Sequence, residues 1–546
     1  MSTAFYGAAV PHAGETMADK KPDDEPHYHI VGGGPVGYAT ALLLAKDGIR
    51  STVYESRAQV VNVPEESYPI GVNARGLHTL GLIDPSLAAA CRDTGKIINA
   101  WEIYGSGGRK VADLPSGVVF GTSRARVNLI LAEAAVRPEF ASLVTVVNNY
   151  RLRSVRLATR ELVFEERLSG GGRREVVVAT GQNGRVVAAD GCNSAVRGAV
   201  EQQDDGFACT VTPWKNEFRV IFAPPGASAP LLDETVHYIF AGFYAATVDK
   251  GGEQTWTCVM GARDGAPQSE RALLLSDDAS DANVAALRAL LQARAPQMAS
   301  PSLFGDDELR RYFGRRTFRG ALVRCSRAHV GEWLVLLGDA AHSVLPPTGE
   351  GINSGLEDAA ILAGCVRGSP DAPFSAYEAA RAADVAGLLS YATYLNDGFD
   401  LKVPGEAGAR LAFTILESVL SGCCCGAVVP LTTTLFGPPS AERAPYGPMT
   451  RRWRRRKAVL LPLARLLIYP WAWLFALLAL PWAAARGLGR CCARCCCRGA
   501  RQPGELSSPL LGGARQRTMR PPIDLDGADG DGAGGGAPSA EHAAEV

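Results

Sequence analysis

The sequence predicts an α/β protein: a Rossmann-like, doubly wound dinucleotide-binding domain, an inserted mixed or antiparallel sheet, and C-terminal helices. Three observations predict it. First, HYHIVGGGPVGYATALLLAKDG (27–48) runs from an apolar strand through a glycine turn into a helix, and STVY (51–54) is a second strand. Second, GRVVAADG (184–191) and WLVLLGDAAH (333–342) are further buried strands that end in loops. Third, residues 205–317 alternate apolar and polar side chains, as in EFRVIFA and TWTCVMGA, the pattern of a half-buried sheet.

Each part follows in order. Residues 1–26 carry no long apolar run and no arginine, and read as a disordered, solvated leader. The nucleotide-binding domain is expected in two pieces, 27–204 and 318–400, with a substrate-domain sheet at 205–317 between them. GINSGLEDAAILAGCV (351–366) and SAYEAARAADVAGLLSYATYL (375–395) read as helices, and helical material continues over 401–457. Residues 458–486 contain LLIYPWAWLFALLALPWAAA (466–485), twenty residues without a charge, about the ~20 that a helix needs to cross a bilayer. Tryptophans 471, 473 and 482 suit an interface, and residues 451–498 hold eleven Lys or Arg and no acid. This segment is expected to associate with a membrane. The last residues, 499–546, rich in Gly, Ala, Asp and Pro, are expected to be disordered.

The chain has 546 residues, 47% of them hydrophobic, ample for a core, and a formal net charge of zero, so nothing global points to nucleic acid. Six of the fourteen cysteines are scattered and read as reduced, small apolar residues. The other eight cluster at 423–425 and 491–497; beside an apolar segment and arginines, Cys492 and Cys495 suit S-palmitoylation better than zinc. No spacing of ligand residues predicts a metal site.

The glycine turn satisfies G-x-G-x-x-G with Gly32, Gly34 and Gly37, and Val36 lies within it. Gly32 permits the tight turn, Gly34 admits a pyrophosphate to the backbone, and Gly37 lets the helix pack on the strand. The helix N-terminus offers N–H groups and partial positive charge to phosphates. Glu55 follows the second strand, 23 residues after Gly32, where a carboxylate can accept from ribose hydroxyls. An acid there disfavours a 2′-phosphate, so the expected dinucleotide is FAD or NAD.

Two later motifs choose between them. ADGCNSAVR (189–197) contributes Asp190, Gly191 and Arg197, and GDAAHSVLPPTGEGINSGLEDA (338–359) contributes Gly338 and Asp339. Asp339 ends a buried strand, where a carboxylate is placed to accept hydrogen bonds from a ligand. Pro346 and Pro347 stiffen the following loop, and Gly349 and Gly351 let backbone approach a flat ring. The helix that begins near Ile352 and Asn353 points its N-terminus at that ring, where its dipole favours negative charge. His342 reads as a structural histidine rather than a base.

With the glycine turn, these motifs closely resemble the fingerprints of the single-component FAD-dependent aromatic hydroxylases, the class A flavoprotein monooxygenases, over roughly residues 27–400. The resemblance implies FAD as cofactor, NADPH as co-substrate without a second Rossmann domain, and O₂ and a small aromatic molecule as substrates. It implies oxygen transfer through a flavin C4a-hydroperoxide, with the Pro346–Gly349–Gly351 loop beside the ring. SYPIGVNARGLHTLGLID (67–84) and SRARVNL (123–129) are most similar to the kynurenine 3-monooxygenase branch. That likeness assigns FAD contacts to Arg126, to Tyr54, Glu55, Ser56 and Arg57, and to Ile352 and Asn353. It also implies a membrane-bound, cytosol-facing protein, with the mitochondrial outer membrane as a candidate location. Two departures stand out. The branch's carboxylate-binding arginine falls near Trp101 in NAWEIYGS, and a substrate-contacting tyrosine falls near Thr432. A lipid- or quinone-directed hydroxylase or epoxidase, and a non-catalytic flavin-binding membrane protein, are the alternative readings.

Overall fold

The computed structural model describes residues 26–63, 65, 67–105, 108–250, 253–398, 405–423 and 445–496. The leader through residue 25, Cys424 and Cys425, Thr432 and the tail from 499 lie outside the described residues. By compactness the chain divides after Leu478.

In the first unit, a six-stranded sheet forms the nucleotide-binding domain. Its strand order is His329–Val330, Leu334–Leu336, Arg185–Ala188, Tyr28–Val31, Ser51–Tyr54 and Val144–Val147. All pairs are parallel except the edge pair of His329–Val330 with Leu334–Leu336. The central strand Tyr28–Val31 is buried throughout, as a strand covered on both faces must be. On one face pack the helices Pro35–Lys46, Ala74–Ile83, Arg124–Ala135 and Gly351–Gly368, which share one core with Ile30, Val53, Val187 and Val335. On the other face lies a three-stranded meander of Tyr150–Arg156, Glu161–Arg167 and Arg173–Ala179, whose Phe164 and Leu162 meet Val31, Val186 and Leu336.

The second sheet has seven strands, in the order Glu217–Phe222, Glu253–Ala262, Phe243–Lys250, Val236–Phe240, Lys96–Tyr104, Lys110–Ser123 and Pro69–Asn73. It is mixed, since Val236–Phe240 runs parallel to Lys96–Tyr104. Its last three strands come from residues 69–123, so the sheet extends beyond the expected span 205–317. Those strands were hidden because each leads into, or follows, a helix of the nucleotide-binding core. Alternation gives the sheet two different faces. Tyr238, Phe240, Phe243, Trp256 and Met260 pack against Leu287, Leu291 and Phe304 of the covering helical segment. The opposite face carries Phe218, Val220, Phe222 and Val248.

A two-stranded ribbon, Cys209–Pro213 with Ala321–Cys325, joins the two sheets. The helices Pro373–Gly398 and Glu406–Cys423 then meet a long C-terminal helix, Tyr446–Cys496, whose side chains are described as far as Leu474. Tyr446, Trp453, Leu461 and Ala464 pack on Leu388, Tyr391 and Phe413. The helix runs through Pro462, Pro470 and Pro481.

Candidate active site

The strand Tyr28–Val31 delivers the chain into Gly32 at φ +101°, a conformation that glycine adopts freely. A Cβ at Gly32 would lie 2.5 Å from the Ala189 carbonyl oxygen, and one at Gly37 only 2.0 Å from the Gly32 carbonyl oxygen. Both glycines are therefore required by packing. Gly34 is different: the nearest atom to an added Cβ is Arg124 Nη2 at 4.0 Å, so this side of the turn is open. Gly34 is also the N-cap of Pro35–Lys46, with no side chain capping it. An open backbone, an uncapped helix N-terminus and an exposed guanidinium form an anion cradle. Arg124 was not anticipated, because a lone arginine ahead of a helix reads as an ordinary surface cation.

Glu55 is buried and turned into the turn rather than outward. Its Oε2 accepts from Gly33 N–H at 2.9 Å, and its Oε1 accepts from Arg57 N–H and Nε at 2.8 Å and from Ser56 Oγ at 3.2 Å. Burial pushes the Glu55 carboxyl up, but the hydrogen bonds and charge of Arg57 outweigh it and hold it below its ordinary value. Asn128 Nδ2 braces the same turn from the Gly33 carbonyl at 3.2 Å. Tyr54 departs from expectation. Its carbonyl accepts from Gly32 N–H, but its ring stacks on Phe164, with centroids 4.5 Å apart, and its hydroxyl pairs with His29 Nδ1. Strand alternation sends the Tyr54 side chain into the core and leaves Glu55 at the turn. Arg126 stands in the first turn of Arg124–Ala135, 4.0 Å from Asp249, and its Nε is buried without a hydrogen-bond partner.

The second motif abuts the first through the Gly32–Ala189 approach. Asp190 Oδ2 accepts from Val196 N–H at 3.1 Å, while its Oδ1 is buried without a partner. Burial pushes the Asp190 carboxyl up, against the hydrogen bonds of Ser194 and Val196. Gly191 takes φ +80°, with nothing within 4 Å of an added Cβ. Arg197 is not a surface cation: it is buried, and donates to the Cys192 carbonyl at 2.7 Å and to the Ala340 carbonyl at 2.8 Å. It thus fastens the second motif to the third.

The third motif is wedged against the first. Val36 fits between Gly338 and Gly355, where added Cβ atoms would lie 3.1 and 2.7 Å from Val36 Cγ2. Asp339 opens the short helix Asp339–His342. Asp358 organises the loop from beneath. Its Oδ2 accepts from Gly338 N–H at 2.9 Å and lies 2.6 Å from His342 Nε2, and its Oδ1 accepts from Arg381 Nε at 2.7 Å. Burial pushes the Asp358 carboxyl up, but His342 and Arg381 beside it outweigh burial and hold it at about 2. His342 is thus engaged as a structural support. Arg381, which the sequence did not single out, also reaches Glu357 and Ser354.

Pro346–Thr348 forms a 3₁₀ turn ending in Gly349 at φ +65°. Pro346 rests on Gly320, where a Cβ would lie 2.9 Å from its Cδ. Among the described residues, the neighbours of a Cβ added at Gly351 are Val344 at 3.8 Å and Asp339 at 4.0 Å, so this backbone is open to a flat partner. Ile352 packs at the margin of the main core. Asn353 spends its side chain on bracing: Nδ2 donates to the Gly71 and Gly349 carbonyls at 2.9 Å, and Oδ1 accepts from Asn73 N–H. Glu350 is fully buried, accepting from Asn73 Nδ2 and, at 2.6 Å, from the Tyr446 hydroxyl of the C-terminal helix. Burial pushes the Glu350 carboxyl up to about 7, against the pull of Arg75, Tyr446 and Asn73. No local pattern signals this link, whose partners are 96 residues apart.

An aromatic surface faces these loops. Tyr68 touches Phe218 and Phe318 edge-on at 5.5 and 5.4 Å, and stands close enough to Arg124 and Asp339 for their charges to act on its hydroxyl. Farther along the same sheet face lie Trp101, His237 and Tyr244. The site is therefore three glycine-bearing motifs drawn into one cleft, roofed by an aromatic sheet.

Comparison with known proteins accords with this geometry. Residues 27–383 match the family model described as FAD binding domain, and the chain belongs to that family. Among relatives, the kynurenine 3-monooxygenase of Salinispora arenicola is 29% identical over 394 residues, 67% of this chain and 78% of the relative. That of Myxococcus xanthus is 26% identical over 345 residues, covering 61% and 69%. Among solved structures, Pseudomonas aeruginosa PqsL in complex with 2-aminobenzoylacetate has a TM-score of 0.52 at 19% identity, covering 69% of this chain and 97% of that one. The tetrameric form of 2-methyl-3-hydroxypyridine-5-carboxylic acid oxygenase has a TM-score of 0.51 at 15% identity, covering 69% and 91%; these two speak to the fold. The chain is an FAD-dependent monooxygenase of the aromatic-hydroxylase type, similar to kynurenine 3-monooxygenases.

Proposed function

We propose that this protein uses NADPH and O₂ to hydroxylate a small aromatic substrate held between the Pro346–Gly351 loop and the aromatic sheet face, at a membrane surface. The observation that carries the reading is the convergence of the three motifs: Val36 wedged between Gly338 and Gly355, and Arg197 bridging Cys192 to Ala340. The residues fit FAD. Gly34 is open, Asp190 Oδ1 and Arg126 Nε are buried without hydrogen-bond partners, and Gly351 is uncrowded. Gly34, the N-terminus of Pro35–Lys46 and Arg124 would hold the pyrophosphate on the turn that Gly32 and Gly37 make possible, and Glu55 with Arg57 the adenosine ribose. Asp190, Asp339 and Arg126 would hold the ribityl and flavin portion, and the N–H groups of Gly351, Ile352 and Asn353 would face the ring. When bound, FAD accepts hydride from NADPH and activates O₂ for transfer of one oxygen atom to the substrate ring.

The chain's own work is placement and exclusion of water. Asp358, through Gly338, His342 and Arg381, fixes the loop that would face FAD. The uncapped start of Gly351–Gly368 favours negative charge near it. Tyr68, Phe218 and Phe318 give the site an apolar wall.

Membrane attachment is supported by the C-terminal helix. Tyr446–Leu474 is long and apolar enough to cross a bilayer, and only 11% of its most apolar window is buried. Leu466 is 71% and Trp471 64% exposed, large apolar surface that water does not favour. The likeness to kynurenine 3-monooxygenases adds the mitochondrial outer membrane as the candidate site.

The test is to incubate detergent-purified holoprotein with NADPH, O₂ and L-kynurenine, following NADPH loss and a +16 Da product by mass spectrometry. Coupled product supports the reading in full. NADPH loss with peroxide alone would discard L-kynurenine as substrate, and no NADPH oxidation by flavin-loaded protein would overturn the monooxygenase reading.

A further inference from the structure

The sheet face that roofs the cleft holds a polar group the flavin chemistry does not use. His237 is completely buried in the strand Val236–Phe240. Its ring lies edge-on to Trp101, with centroids 4.8 Å apart, and to Tyr244 at 5.4 Å. Its Nδ1 is 2.8 Å from the Tyr244 hydroxyl, while its Nε2 is buried without a hydrogen-bond partner. Nε2 lies over Gly121, where a Cβ would stand 2.9 Å away, so any larger residue on that strand would crowd it.

The protonation pattern follows from the partners. Among the described residues the Tyr244 hydroxyl proton has one acceptor in reach, Nδ1. A neutral imidazole that accepts at Nδ1 carries its hydrogen on Nε2. The unpartnered atom is therefore a donor. Among the described residues no charged side chain acts on either group: burial alone pushes His237 down to about 3 and pushes Tyr244 up. A buried N–H without an acceptor costs roughly 1–3 kcal/mol, so a fold that keeps one has a use for it. By strand alternation and cross-strand register, Tyr244 shares its face with Val248 and Val220, and so with the Tyr68–Phe218–Phe318 wall.

We propose that His237 Nε2–H is the polar anchor of the substrate, donating to an uncharged oxygen acceptor on an aromatic molecule, such as a ketone or quinone carbonyl, on the Gly121 side of the Trp101–His237–Tyr244 cluster. The preferred substrate class is thus a neutral aromatic carbonyl compound rather than an amino acid gripped by its carboxylate. A guanidinium clamp would need a charge that this part of the face does not feel. The inference rests on the substrate position proposed above.

The probes are 2-aminoacetophenone, a neutral aromatic ketone, and L-kynurenine, which has the same ring and carbonyl plus a charged amino-acid end. Binding to the FAD-loaded protein is read from perturbation of the flavin absorbance, without turnover. The wild type should bind the ketone at least as tightly as L-kynurenine. His237→Phe should weaken ketone binding about tenfold, the loss of one hydrogen bond, and His237→Gln, which keeps a donor, should stay within about threefold of wild type. FAD content and melting temperature establish that each variant is folded; if His237→Phe is not, Tyr244→Phe, which removes the proton that fixes the tautomer, should weaken binding instead. The proposal is overturned if the ketone does not bind, if L-kynurenine binds more than about tenfold more tightly, or if His237→Phe binds the ketone as the wild type does. His237-dependent binding without NADPH oxidation would count against the hydroxylase reading and leave this one standing.

Discussion

Gly355→Ala tests whether the first and third motifs form one cleft through Val36. Gly355 lies inside Gly351–Gly368, where Ala is favoured over Gly by about 1 kcal/mol. An added Cβ, however, would lie 2.7 Å from Val36 Cγ2, about 1 Å inside normal contact. Val36 is β-branched and stiff, so the overlap must move backbone, a cost of about 1–3 kcal/mol. In the wild-type background the clash wins, for a net destabilisation of about 0–2 kcal/mol. In a Val36→Ala background the clash disappears and the propensity gain remains, so the same substitution should stabilise by about 1 kcal/mol. The cleft reads the same way. Gly355→Ala should weaken FAD binding up to about thirtyfold, at 1.4 kcal/mol per factor of ten, and Val36→Ala should restore part of it. The assays are urea denaturation of the four proteins of the cycle and fluorescence titration of their apoproteins with FAD. If Gly355→Ala has the same sign in both backgrounds, Val36 does not couple the motifs and the packing argument is wrong.

Three further expectations follow from the site. Glu350 has its carboxyl pushed up to about 7 from an ordinary 4.5, so its contribution to stability is complete below pH 4.5 and is lost as pH rises through about 7; thermal melts should show the wild type losing about 3 kcal/mol relative to Glu350→Gln across that window, and parallel curves would refute it. Arg381→Met leaves Asp358 and Glu357 without their buried partner and should cost about 3–5 kcal/mol, read by urea denaturation with loss of FAD; a change under about 1 kcal/mol would mean that the network does not hold the loop. Leu467→Asp, at a position 63% exposed, should cost about 3 kcal/mol of bilayer insertion and cut liposome flotation by two orders of magnitude, and undiminished flotation would remove this helix as the anchor.

What the sequence determined by itself was whatever depends on neighbours in the chain. G-x-G-x-x-G, the acid after the second strand and the strand-ended loops at Asp190 and Asp339 are local patterns with local physical reasons, and the structure has them in those elements. The apolar segment after Arg451–Lys457 was legible for the same reason, because length and charge are written along the chain. Tertiary structure decided the rest. Alternation along Ser51–Tyr54 turned Tyr54 into the core, which depends on which sheet face is covered by Phe164. Asn353 and Glu350 were committed by Asn73 and Tyr446, at separations of 280 and 96 residues. Arg197 was expected in the second motif, but its commitment to the Ala340 carbonyl, like that of Arg381 to Asp358, came only with the folded partners. His237 sits in VHYIF, where the pattern shows burial but not the vacant Nε2. Hydrogen-bond satisfaction is a property of the assembled interior, because only packing settles which polar groups find partners away from water.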